Sequence, residues 1–149
     1  MAVIPPDIAS PNIPRTTRGL KNRNPGNLRW TPKDRWQGLT GQDNKGFCVF
    51  SSDVHGIRAL VRDLRTDYLR DGQTTIESLI AEYAPPHEND TQAYVDYVAQ
   101  ALDIGPRTEI PALTPAVATE LAIAIIRIEQ GVQPYPIATI AAGVAAGLA

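Results

Sequence analysis

Histidine and cysteine are scarce in this chain. Its 149 residues include two histidines, His55 and His87, and one cysteine, Cys48. A single cysteine excludes an internal disulfide. Its place in the apolar run Phe47-Cys48-Val49-Phe50 predicts a buried, inert thiol rather than a nucleophile. So few nitrogen and sulfur ligands leave a metal site dependent on carboxylates, and these do not recur at ligand spacing, so no metal or other cofactor is predicted. Net charge is small: 14 basic and 16 acidic side chains leave -2. That balance offers no whole-molecule attraction for nucleic acid. Long hydrophobic runs are missing, and the apolar residues 137–149 are too few to span a bilayer as a helix. The N-terminus has no charged stretch leading into an apolar one, so no secretory signal is predicted and synthesis in a cytoplasm is expected.

What is present suits one globular domain. Hydrophobic residues make up 43% and charged residues 20%, an ordinary balance. Arg15, Arg18, Lys21, Arg23, Arg29, Lys33 and Arg35 crowd the first third. A solvated surface explains them better than a patch facing a polyanion.

Residues 1–16 carry Pro5, Pro6, Pro11 and Pro14 without periodicity and read as an extended N-terminal arm. Residues 17–50 are rich in turn formers around short apolar pieces, predicting a small irregular β-hairpin region. Ser51-Ser52-Asp53 offers cap chemistry for a helix carrying Val54, Ile57, Leu60, Val61 and Leu64, closing near Gly72. Thr74 and Glu77 have capping-box spacing for a short helix with Ile76, Leu79, Ile80 and Tyr83 on its buried face. Asn89-Asp90-Thr91 opens a helix that closes before Gly105-Pro106. Thr114 caps another, with Pro115 at its first position and Gly131 stopping it. Residues 137–149 predict a last, weaker apolar helix or tail. The sum is an α+β fold dominated by α, with its main domain over residues 17–136.

One carboxylate breaks the pattern. In the helix begun by Thr114, the apolar residues Val117, Leu121 and Ile125 step by four, and the next step lands on Glu129. Partial burial and the negative end of the helix dipole both favour a neutral acid there, as a general acid requires. A solvated Glu at a fraying helix end is the plainer alternative. Tyr83-Ala84-Pro85-Pro86-His87-Glu88-Asn89-Asp90-Thr91, followed by Tyr94, combines amides, hydroxyls and aromatic faces that suit carbohydrate. For Asn89, Asp90 and Thr91 taken singly, helix capping explains as much. Trp30 and Trp36 could serve as sugar platforms or simply pack the hairpin.

The ordered motifs resemble a known family. Arg18-Gly19-Leu20-Lys21-Asn22-Arg23-Asn24-Pro25-Gly26-Asn27-Leu28-Arg29 is similar to the opening of a family of bacteriophage virion-associated proteins. Trp36-Gln37-Gly38, the aromatic pair Phe47 and Phe50, and Gly56-Ile57-Arg58-Ala59 follow in that family's order. The segment from Ala84 through Tyr94 and the stretch Glu129-Gln130-Gly131-Val132-Gln133-Pro134-Tyr135 complete it. The family looks related to the lysozyme-like superfamily. The later part of cell-wall glucosaminidases shows a similar order, except that their helix ending in the catalytic Glu comes first. The resemblance therefore implies a lysozyme-like domain, and the motif order implies its circular permutation. It implies Glu129 as the acid, and substrate contacts from Tyr83, Glu88, Asn89, Thr91, Tyr94 and Tyr135. Ile128-Glu129-Gln130-Gly131 departs from the usual His-Glu-Asn-Gly of those enzymes.

These readings lead to an expected function. The chain is expected to be a virion-associated glycosidase, a lytic transglycosylase or muramidase, that cuts peptidoglycan strands in the host cell envelope. Its expected partners are those strands and other virion proteins. Asp43, Glu88 and Asp90 are the sequence's candidates for a second carboxylate. The rival expectation is a non-catalytic phage structural protein that uses the same fold to bind glycan or assemble the particle. A nucleic-acid-binding role for the basic cluster is a weaker third.

Overall fold

Ser52 starts the longest helix. Its extended backbone and side-chain oxygen, which accepts from the His55 amide at 3.1 Å, cap α2, Asp53–Leu69. The computed structural model describes residues 12–86 and 89–149. Around α2 it arranges α1 (Arg18–Lys21), β1 (Leu39–Gln42), β2 (Cys48–Phe50), α3 (Ile76–Tyr83), α4 (Thr91–Leu102), α5 (Pro115–Gln130) and α6 (Ile137–Leu148). The architecture is α+β and mostly α. The two strands form one antiparallel hairpin, pairing Leu39 with Phe50 and Gln42 with Cys48, with a bulge between Leu39 and Gly41.

α2 lies between two apolar clusters. Ile57, Leu60, Val61 and Leu64 face the main core, with Leu79 and Ile80 of α3, Val95 and Val98 of α4, Leu121 and Ile125 of α5, and Ile140 and Val144 of α6. Ala59 instead faces a smaller cluster of Cys48 and Phe50, covered by Leu28, Trp30, Trp36 and Leu39. Burial pushes the Cys48 thiol up to about 12, and Asp34 adds to the shift, so this cysteine stays protonated.

Several local readings shift once the chain is folded. The segment before the hairpin forms the one-turn helix α1, whose Thr17 cap accepts from the Leu20 amide at 3.3 Å. Leu28-Arg29-Trp30 contributes a single bridge, Arg29 to Phe47, rather than a strand. The capping box of α3 lies one residue later than the Thr74 and Glu77 spacing suggests. Thr75 accepts from the Ser78 amide at 3.1 Å, and Ser78 Oγ accepts from the Thr75 amide at 3.2 Å. Thr74 is drawn off by the Glu109 carboxylate, to which its hydroxyl donates. α4 closes on Asp103 in the left-handed conformation, two residues before Gly105. Thr114, Pro115 and Gly131 bound α5 as their residue types predict.

The two ends of the chain are tied to the body. Residues 1–11 of the proline-rich segment lie outside the described residues. Ile13 packs on the main core, and Arg15 grips fully buried Asp53 with two hydrogen bonds of 2.7 and 2.9 Å. α6 lies along α2 more extensively than any other pair of elements meets. Gly143 and Gly147 make this approach possible. A Cβ on Gly143 would come within 2.4 Å of Ile57, and one on Gly147 within 2.7 Å of Val61.

Two stability predictions follow from these contacts. Gly143→Val should cost about 1–3 kcal/mol in urea unfolding, by forcing α6 off α2. Arg15→Ala should cost about 2–3 kcal/mol, because it takes two charge-assisted hydrogen bonds from fully buried Asp53. A wild-type midpoint for either variant would contradict the corresponding contact.

Candidate functional site

The site is built on the Asn24-Pro25-Gly26-Asn27 turn. Asn24 is fully buried and behaves like a piece of strand. Its amide nitrogen donates to the carbonyls of Leu28 and Cys48, both at 3.0 Å, and its oxygen accepts from the Leu28 amide at 3.0 Å. Three helices then press on the turn. Gly56 of α2 meets the Arg23 carbonyl so closely that a Cβ would sit 1.8 Å from its oxygen. The Tyr83 hydroxyl of α3 donates to the Gly26 carbonyl. Gln130, buried at the end of α5, donates to the Pro25 carbonyl at 2.8 Å and the Asn27 side-chain oxygen at 3.2 Å. The Thr17 hydroxyl fixes Gln130 from the other side.

Asn27 is held in the left-handed region, at φ 52°, by this clamp. Its amide nitrogen donates to Glu129 Oε1 at 2.8 Å. The other oxygen, Oε2, accepts from the Tyr94 hydroxyl of α4 at 2.9 Å. Glu129 is half-buried, so it is neither a core residue nor a freely solvated helix end. The Tyr94 hydroxyl is held well above its ordinary range by burial, and the adjacent Glu129 charge acts in the same direction. It stays a hydrogen-bond donor at any physiological pH.

Glu129 opens onto a cavity of about 520 Å³, within the usual range of small-ligand clefts, about 300–1,000 Å³. Trp36, Phe47 and Tyr83 supply aromatic surface, and Asn27, Asn89 and Thr31 supply polar groups. Three more carboxylates line it: Asp34, Asp63 and Glu82. Burial pushes the Asp63 acid up to about 6, reinforced by the nearby charges of Asp34 and Glu82. A second cavity of about 330 Å³ meets the first at Asn89 and is lined by Asp90, Ala93, Tyr94, Tyr97 and Ile128. The Tyr94–Glu129 hydrogen bond thus joins the walls of the two cavities.

The structure brings together some residues singled out in the sequence and separates others. Glu129, Tyr83, Asn89 and Tyr94 line the two cavities. Thr91 lies off both, and its hydroxyl donates to the Ala84 carbonyl at 2.7 Å, joining α3 to α4. Tyr135 is buried away from them, beside Asp53 and Arg15, and burial raises its hydroxyl above the ordinary range. Glu88 and His87 lie outside the described residues. Asp90 caps α4, accepting from the Ala93 amide at 3.1 Å. Asp43 lies off the cavities. Burial alone would raise its carboxyl, but Arg18, Asn22 and the amides of Phe47 and Lys45 outweigh it and hold it well below the usual range. Trp30 packs on the small cluster, whereas Trp36 packs there and also lines the first cavity. The sequence pattern does not single out Asn27, Asp34 or Asp63 as site residues, whereas Glu82 is a weak candidate there, flanking the buried face of its helix. Asn27 appears only inside the family motif, and no spacing distinguishes the two aspartates.

Internal pairing also absorbs part of the basic cluster. Arg15 binds Asp53, Arg18 binds Asp43 at 2.7 Å, and Arg29 stacks 4.6 Å from the Phe47 ring centre. Among the described residues no helix is long and apolar enough to cross a membrane.

The chain is 38% identical over 127 residues to Protein P5 of Pseudoalteromonas phage PM2, a match covering 83% of this chain and 77% of that protein. The chain belongs to the family of that phage protein. No protein-family model matches it.

The raised Asp63 acid makes a testable prediction about pH. Below about pH 3 the acid is protonated both folded and unfolded, and it costs nothing. As pH rises toward 6 the unfolded chain releases this proton first, so stability is lost, and above 6 the full cost remains. With divalent cations chelated, Asp63→Asn should therefore stabilise the protein by about 1–2 kcal/mol at pH 8 and by nothing at about pH 3. A variant less stable than wild type at pH 8 would contradict this.

Proposed function

We propose that this chain is a virion-associated glycosidase that cuts the glycan strands of bacterial peptidoglycan, with Glu129 as the general acid. The observation that carries this reading is the placement of Glu129. A half-buried carboxylate at a helix end lines a groove and has its two oxygens oriented by Asn27 and Tyr94. Trp36 and Tyr83 suit the apolar faces of sugar rings, and Asn89 suits their hydroxyl groups. Membership of a phage protein family fits a protein of the particle that acts on the envelope of its host. The lysozyme-like, circularly permuted relationship implied by the motif order belongs to the same proposal.

In this reading Glu129 donates its proton to the glycosidic oxygen as the bond to the anomeric carbon breaks. Asp63, on the same cavity, is the group we assign to receive a proton from an attacking water. In this reading it takes the role for which the sequence suggests Asp43, Glu88 or Asp90; Asp43 lies off both cavities, Asp90 caps α4, and Glu88 lies outside the described residues. A water-assisted reaction releases a reducing sugar, whereas closure by the sugar's own hydroxyl releases an anhydro sugar.

The alternative is a non-catalytic virion protein that binds glycan or scaffolds the particle. It is favoured by the same hydrogen bonds, because Asn27 and Tyr94 already engage both oxygens of Glu129, as a purely structural latch would.

The test is digestion of purified peptidoglycan with wild type, Glu129→Gln and Asp63→Asn, with products read by mass spectrometry. The proposal expects soluble muropeptides from wild type and a loss of at least about 100-fold in Glu129→Gln. Reducing ends that disappear in Asp63→Asn would assign the base. Glycan binding by wild type without any released fragment would establish the alternative.

A further inference from the structure

A second cluster of acids lies where α2 ends, beside the first cavity but outside its lining except for Glu82. Asp67 is only 7% exposed, yet its carboxylate accepts no hydrogen bond and forms no ion pair among the described residues. Neither oxygen is fully shut off from solvent, but a carboxylate on so buried a residue with no donor beside it is costly and calls for a partner. Its nearest charged neighbours make matters worse. Carboxylate oxygens of Asp67, Asp71 and Glu82 all lie within 4.8 Å of one another. The last turn of α2 adds the negative end of the helix dipole and carries no basic residue. Arg70 pairs with Asp71 at 2.8 Å, but its side chain is 74% exposed and reaches neither Asp67 nor Glu82 within ion-pair distance.

The geometry points to a calcium site at the junction of α2 and α3, formed by Asp67, Asp71 and Glu82. Calcium takes about six to eight oxygen ligands at about 2.3–2.6 Å, so ligands on opposite sides of the ion lie about 4.6–5.2 Å apart. Three oxygens gathered within 4.8 Å fit around one such ion. Magnesium demands near-ideal octahedral geometry and gives up its water reluctantly, so a set of one buried and two exposed carboxylates suits calcium better. Buried Asp67 anchors the ion from below. Exposed Asp71 and Glu82 close over it and leave water to complete the shell, with Arg70 swinging out to solvent. Because Glu82 also lines the first cavity, the bound ion braces that wall. The site does not depend on the proposed glycosidase activity.

Calcium chloride titrated into the EDTA-stripped full chain tests this, by calorimetry and by thermal unfolding, with sodium chloride at matched ionic strength as control. The expected result is a saturable heat and a rise in Tm of about 5 °C or more by about 1 mM calcium. Asp67→Asn and Asp71→Asn should each remove the rise. Asp71 is exposed, so its variant carries the test even where Asp67→Asn fails to fold. Absence of heat and of a Tm shift up to about 10 mM calcium would overturn the proposal. So would an undiminished rise in Asp71→Asn, an equal rise with sodium chloride, or an equal response to magnesium.

Discussion

Everything at the site depends on one clamp, in which the end of α5 holds the Asn24-Pro25-Gly26-Asn27 turn. Gln130 takes the Pro25 carbonyl and the Asn27 side chain, and the adjacent residue, Glu129, takes the other end of Asn27. Two neighbouring residues of one helix thereby fix both the backbone and the side chain of the turn. Buried polar groups of this kind stabilise only when fully satisfied, and Asn24 and Gln130 are. The small residues around them follow from the same requirement. Gly19 lies against Gln130, Gly26 against Tyr83 and Gly56 against the Arg23 carbonyl, each too close for a Cβ.

The hydrophobic core serves this clamp by setting the height of α5 against α2. α6 packs against α2 through Gly143 and Gly147 and also meets α5, which makes the C-terminal helix part of the body of the fold. The groove beside the clamp is electrostatically unfavourable by contrast. Asp63 lines it and Asp67 lies behind it, and burial together with like charge pushes the first up to about 6 and the second up to about 7. Stability surrendered in one place while the surroundings are so well satisfied is the pattern expected of a functional surface.

Much of this was legible in the residue order because it rests on local chemistry. The caps at Ser52, Asp90 and Thr114 and the stop at Gly131 depend on neighbouring residues alone. Glu129 stood out because helical spacing put it in line with Val117, Leu121 and Ile125. Other features depend on contacts between distant segments. Thr74 has the right spacing to cap α3, but Glu109, far along the chain, binds its hydroxyl and leaves the role to Thr75. Tyr135 shares a motif with Glu129, yet the turn after Gly131 carries it to the Arg15 and Asp53 side of the molecule. Asp67 and Glu82 sit on different helices, so no spacing rule brings them together. Asp63 looks like a solvated helix residue until the hairpin and α3 pack around it.

The central claim is that Asn27 orients Glu129 for proton transfer. It is tested most directly by measuring muropeptide release from purified sacculi by Asn27→Ala, in a preparation shown to be folded by near-ultraviolet circular dichroism. The account predicts release by the wild type and at least about a tenfold lower rate in the folded variant. Release at the wild-type rate by Asn27→Ala, or none by the wild type itself, would contradict it.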